Sequence, residues 1–175
     1  RAMECWNILR DSWGENIYIP FAFKRIWEGG HGFQSQHYAG MAIDMGQNLN
    51  ETDRENLRQL AKDIGCYSYV EPPSIAPTWV HVDTRMTPPA CVAGYPELIR
   101  GNVNTYVLVL QDALSTLGYN AGGLDGIFGS TTEEAVKAFQ KSQELMPTGI
   151  VDCATWTILT RLVKGMGKTS TTINP

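Results

Sequence analysis

The sequence predicts an α+β segment at the front of the chain and a smaller, wholly helical segment behind it. Three observations carry this. Apolar residues alternate over 41–45 and 79–83, the period of half-buried strands. They recur at helical spacing over 52–64 and again after Asn102. Between these stretches Pro88, Pro89, Gly94, Pro96 and Gly101 punctuate the chain. The division expected is 1–95 for the first domain, 96–101 for a short ordered linker, 102–164 for the second domain and 165–175 for a polar, frayed tail.

Ala2 to Leu9 read as a short helix, and Ile17 to Phe23 as an apolar, β-leaning run interrupted by Pro20. Glu28-Gly29-Gly30-His31-Gly32 reads as a loop. The next helix carries Leu57, Leu60, Ala61 and Ile64 on one face. Thr52 and Glu55 are expected to form its capping box, and Gly65 its stop. Trp79 to Asp83 is a short alternating strand. In the second segment Val107, Leu110, Leu114 and Leu117 share a helix face that ends at Gly118. Ser130 and Glu133 suit a capping box ahead of Ala135, Val136 and Phe139. Asp152 can cap a third helix bearing Trp156, Leu159 and Leu162 or Val163.

Composition narrows the function classes. The chain has 175 residues, ordinary apolar content and a formal net charge of −4. With no basic run, nothing points to nucleic acid. No apolar stretch approaches the roughly 18 residues needed to span a bilayer. No charged-then-apolar leader stands in the chain. The four cysteines, Cys5, Cys66, Cys91 and Cys153, contain no C-x-x-C pair. A four-sulfur zinc site or a redox motif is therefore not expected, and three full pairings, or none, remain open.

The chemistry concentrates in two of the three histidines, His31, His37 and His81. In Ser35-Gln36-His37-Tyr38-Ala39-Gly40-Met41-Ala42-Ile43-Asp44, the residues after Gly40 alternate. Met41, Ile43 and Met45 are expected to face the core, with Ala42 and Asp44 on the other side. Gly40 can supply a turn that returns His37 beside Asp44, and Ala42 leaves room between them. In Trp79-Val80-His81-Val82-Asp83, His81 and Asp83 share the face opposite Val80 and Val82. Any one of these residues alone reads as structural. If the two strands pair, however, His37, Asp44 and His81 make a nitrogen and oxygen ligand set with a fourth position left to water. Such a set suits catalytic zinc better than structural zinc.

Ser35-x-His37-x-x-Gly40-x-Ala42-x-Asp44 followed by Val80-His81-Val82-Asp83 resembles the zinc D-alanyl-D-alanine carboxypeptidase family, which shares its fold with hedgehog signalling domains. Over 1–95 the resemblance implies a small antiparallel sheet flanked by helices. It also implies Zn2+ held by His37, Asp44 and His81, and cleavage of peptidoglycan stem peptides. Many relatives place Glu three residues before the second histidine, where this chain has Thr78. Glu71 resembles the acidic residue of the hedgehog branch and is the candidate general base, with an ordinary turn carboxylate as the alternative. Asp83 is the second candidate base, or orients a ligand histidine from behind. His31 is similar to an oxyanion-steadying histidine, or belongs to a solvated loop. Arg25 resembles the arginine that holds the substrate carboxylate, or is a surface arginine. Ser35 matches the motif and touches substrate, or holds its loop by bonding to backbone.

The second segment resembles the three-helix peptidoglycan-binding domain of wall hydrolases. The likeness rests on Leu110-Gln111-x-x-Leu114, Leu117-Gly118-Tyr119, Asp125-Gly126-Ile127-Phe128-Gly129, Thr132, Ala135-Val136, Phe139-Gln140, Gly149-Ile150-Val151-Asp152 and Thr155-Trp156. Most of these are core or turn positions, and no ligand contact is assigned among them. Bulk charge does not steer an acidic protein to an anionic wall, so binding must rest on specific contacts. The expectation is a secreted or wall-associated monomeric peptidase, a D-Ala-D-Ala carboxypeptidase or an endopeptidase. The rival from another class is a zinc-containing wall-binding protein without turnover.

Overall fold

The computed structural model describes residues 1–86 and 94–166. Pro88, Pro89, Cys91 and the tail from 167 onward, all used in the sequence reading, lie outside the described residues. The architecture is mixed, with five α-helices and one antiparallel three-stranded sheet among the described residues. The chain divides into two compact units, one of residues 1–23 and 40–87, the other of residues 24–39 and 88–175. Residues 24–39, read from the sequence with the front of the chain, group with its back.

In the first unit, α1 spans Ala2–Trp13, longer than the expected Ala2 to Leu9, and stops at Gly14, whose φ of 77° is left-handed. Helix α2 spans Glu51–Ile64. Its cap is not the expected Thr52 box. Asn50, two residues earlier, accepts the Asp53 N–H at 2.9 Å, so the helix starts sooner. The sheet is built from β1 (Ala42–Met45), β2 (Tyr69–Val70) and β3 (Val80–Asp83), in the order β1-β3-β2. The run 17–23 is not a strand. Pro20 interrupts it, and it meets the edge of β1 through Tyr18 and Phe21, whose carbonyls accept from the Gly46 and Asp44 N–H groups at 2.9 and 2.8 Å.

The core of this unit is Trp6 and Leu9 of α1, Leu57 and Ala61 of α2, and Ile43, Met45, Val80 and Val82 from one face of the sheet. The alternation of period 2 thus leaves Ala42, Asp44, His81 and Asp83 on the other face. A Cys5–Cys66 disulfide ties α1 to the chain leaving α2, across a sequence separation of 61. On the chain-entropy account, closing such a loop stabilises by about 4 kcal/mol.

In the second unit, α3 (Thr105–Thr116), α4 (Ser130–Ser142) and α5 (Cys153–Gly165) are the three helices expected. Asn104 caps α3, and Asp152 caps α5 through the Thr155 N–H at 2.8 Å. The Ser130 box is not formed. Gly129 is the cap without a side-chain bond, and Glu133 pairs instead with Lys137 at 2.8 Å and Arg100 at 3.4 Å. Val163 is the buried member of the last stripe, with Leu162 40 % exposed. Trp156 is fully buried, donates Nε1–H to the Pro96 carbonyl at 2.8 Å and packs against Tyr95.

Candidate functional site

On the polar face of the sheet, the strands the sequence required to pair do pair. Asp44 stands directly opposite His81, and Ala42 opposite Asp83. Side chains opposite each other in an antiparallel pair share a face and come within reach. His81 Nδ1 lies 2.7 Å from Asp44 Oδ1, and His81 Nε2 lies 3.4 Å from Asp83 Oδ2. One imidazole therefore bridges two carboxylates. Burial opposes a charge on His81, but the hydrogen bonds and charges of Asp44 and Asp83 outweigh it and raise its pKa to about 9.

Asp83 is fully buried. Burial alone would raise its pKa, but Arg85 and His81 together hold it below the ordinary carboxylate range. Arg85 Nε reaches the two Asp83 oxygens at 2.8 and 3.0 Å, Nη2 adds a further contact, and the Arg85 backbone N–H donates to Oδ1 at 3.1 Å. The same guanidinium lies 4.3 Å over the Tyr69 ring, and Tyr69 meets His81 edge-on. Sequence reasoning missed Arg85, although the signal was present: His81, Asp83 and Arg85 continue one alternating set.

Glu71 follows β2 directly. Its N–H donates to the His81 carbonyl at 2.9 Å, so it continues the ladder at the position opposite His81. The loop from Glu71 to Trp79 is held by Arg58 of α2, which is 1 % exposed. Arg58 donates to the carbonyls of Glu71, Ala76 and Trp79 at 2.9, 2.8 and 2.8 Å and also pairs with Glu55. Nothing in the helical pattern of 52–64 marks Arg58 as buried, because it sits beside Leu57 on the packed face only once the loop folds over it. Thr78 is exposed.

The remaining candidates lie in the second unit. His37 is buried, and its ring stacks on His31 with centroids 4.4 Å apart. The His31 N–H donates to the Tyr38 hydroxyl at 3.2 Å, and its carbonyl accepts from Lys164 at 2.8 Å, so the His31 backbone is held on both its N–H and its carbonyl. Ser35 Oγ accepts the His37 N–H at 3.3 Å, the loop-holding alternative. Arg25 is not a plain surface arginine. Its guanidinium is committed to Asp112 of α3, with Nε 3.1 Å from Oδ2 and a second contact from Nη2. Gln36 is fixed by the Tyr106 hydroxyl at 2.7 Å and the Gly94 carbonyl at 3.2 Å. Gly40, where the turn was expected, has a left-handed φ of 64°.

The donor chemistry fits zinc. Two ligands about 2 Å from one tetrahedral ion stand about 3.3 Å apart, so Asp44 Oδ1 and His81 Nδ1 need only a small adjustment to share one. A carboxylate behind the other nitrogen is the usual support of a zinc-bound histidine.

Residues 104–159 match the family model described as a putative peptidoglycan binding domain. That part of the chain is a peptidoglycan-binding domain, which sets the protein in a cell-wall context. A similar solved structure is the 2.05 Å crystal structure of a peptidoglycan-binding protein from Clostridioides difficile in complex with glutamine hydroxamate. It is 42% identical over 39% of this chain and 43% of that chain, with a TM-score of 0.38. The chain thus spans less than half of that protein's length. No curated protein matches the chain. Among the described residues, no helix is long and apolar enough to cross a membrane.

Proposed function

We propose that the protein is a zinc-dependent peptidase of peptidoglycan stem peptides, similar to the zinc D-alanyl-D-alanine carboxypeptidases and of the hedgehog-like fold they share. The observation that supports this reading best is the pairing of Asp44 with His81 across β1 and β3, with Asp83 behind the imidazole. The ligands would be His37, Asp44 and His81. Bound there, zinc supplies a water acidified toward a pKa of about 7 and polarises the scissile carbonyl.

The chain's own groups do the rest. Asp83 holds the His81 ring. Glu71 takes the proton of the attacking water and returns it to the departing amine nitrogen. His31 donates a hydrogen bond to the carbonyl oxygen as negative charge gathers on it. Ser35 keeps the His37 backbone in register. The peptidoglycan-binding domain raises the local concentration of wall peptide.

Within this reading the bond cut has two candidates. Removal of a terminal D-alanine needs a cation for the free substrate carboxylate. The commitment of Arg25 to Asp112 favours the second candidate, an endopeptidase that needs none. An exposed Thr78 in place of the glutamate of many relatives favours a rival to the peptidase reading itself, a zinc-containing wall-binding protein without turnover.

Purified muropeptides incubated with the protein, with and without a chelator, test all three by mass spectrometry. The expected result is chelator-sensitive release of a peptide fragment or of D-alanine. Stoichiometric zinc with no product from any wall preparation would establish the non-catalytic reading instead. His81→Ala should lose bound zinc and product together, and full activity in that variant would sink the ligand assignment.

A further inference from the structure

We infer that Arg85 is a positioning residue of the zinc site, acting through Asp83 to fix which nitrogen of His81 faces the metal. The inference rests on the zinc reading above. An imidazole offers one nitrogen to a metal only when its other nitrogen is committed as an N–H donor, and that commitment is made by the group behind it. Here that group is Asp83, fully buried and 3.4 Å from Nε2. A carboxylate so placed has two oxygens and a free rotation about its last bond, so it needs an anchor of its own.

Arg85 is that anchor. Its Nε spans both Asp83 oxygens at 2.8 and 3.0 Å, its Nη2 closes on Oδ2, and its backbone N–H takes Oδ1 at 3.1 Å. The planar fork resists rotation of the carboxylate in a way a lysine point charge does not. The guanidinium is itself held by stacking 4.3 Å over Tyr69 of the neighbouring strand. Tyr69 lies opposite Asp83 in the register and touches His81 edge-on, so Tyr69, Arg85, Asp83 and His81 form one closed set on the polar face. The set turns Oδ2 toward Nε2 and leaves Nδ1, the nitrogen 2.7 Å from Asp44, for the ion.

The experiment uses the full chain loaded with zinc and labelled with 15N-histidine, in the parent, Arg85→Gln and Arg85→Lys. Zinc affinity is read by competition with a chromophoric chelator, and the His81 Nε2–H by its nitrogen and proton shifts. The parent should bind one zinc per chain. Arg85→Gln should bind it more weakly, by no more than the about 10- to 100-fold that removing a ligand's direct partner costs, with the His81 Nε2–H shifted or lost. Arg85→Lys should fall between, because it keeps the charge without the fork. In an Asp83→Asn background, Arg85→Gln should cost no further affinity.

A parent chain without stoichiometric zinc would overturn the site reading and this inference with it. A parent that binds zinc beside an Arg85→Gln chain of equal affinity and unchanged His81 signal would overturn this inference alone. So would a full additional loss in the Asp83→Asn background. Should Arg85→Gln not fold, the Arg85→Lys chain decides: parental affinity and shift refute the inference.

Discussion

The polar side chains buried in the second unit and those on the sheet face of the first are used in opposite ways. In the helical unit Gln111 of α3 turns its amide nitrogen to Asp125 Oδ1, the Ile127 carbonyl and Thr132 Oγ1 at 2.8, 3.2 and 3.3 Å. Its oxygen accepts the N–H groups of Asp125 and Gly126. Gln140 of α4 does the same one helix later, with Thr148 Oγ1, the Ile150 carbonyl and Thr155 Oγ1 on its nitrogen and the Gly149 N–H on its oxygen. Each glutamine clamps the turn that leads into the next helix, and its partners are mostly main chain and helix-start hydroxyls. On the sheet face, by contrast, Asp44, His81, Asp83 and Arg85 bond to one another. A buried polar group satisfied by backbone explains itself as architecture. A cluster of ionisable groups satisfying one another is costly to assemble and is where chemistry is to be sought.

Several measurements would break or sharpen that contrast. The largest stability loss should come from Arg58→Met, which leaves the carbonyls of Glu71, Ala76 and Trp79 without donors. Chemical denaturation should show about 3–5 kcal/mol lost. If the loop before β3 is held chiefly by other contacts, the loss will be under about 1 kcal/mol. Next, Gln111→Ala and Gln140→Ala should each cost about 2–4 kcal/mol, by amounts similar to one another. A loss confined to one of them would show that the two turns are not held by equivalent devices.

The sheet face should respond to alkaline pH. The His81 pKa stands at about 9 in the folded chain against 6.5 ordinarily. Its contribution to stability is therefore complete below pH 6.5 and is lost as pH rises through about 9. In chelator-treated protein, the melting temperature should fall over that window, and Asp44→Asn should remove most of the fall. The smallest effect belongs to the half-exposed Lys137, whose pairs with Glu133 and Glu134 are solvent-screened. Lys137→Ala should change stability by less than about 1 kcal/mol in thermal unfolding.

What the sequence disclosed follows the range of the forces involved. The alternation of 41–45 and 80–83 is local, so the strands, their buried faces and the shared side of His81 and Asp83 were legible. The three helices of the second unit were legible for the same reason. Helix starts were less so, because Asn50 and Gly129 stand close to the serine and threonine that look equally suited. The Arg25 pair was hidden by distance along the chain, since Asp112 lies 87 residues away and neither residue carries a local mark of the other. Four cysteines left the pairing open until geometry joined Cys5 to Cys66.

That crosslink encloses Asp44 within its ring and leaves His81 outside it. The exposed stretch Gly14 to Asn16 lies inside the ring. A single proteolytic nick there yields two fragments that stay in one covalent molecule, with the Asp44 strand retained alongside the helix that begins the chain. The chain would thus survive a first cut at this exposed turn as one molecule, and would fall apart only when the nicked form is also reduced.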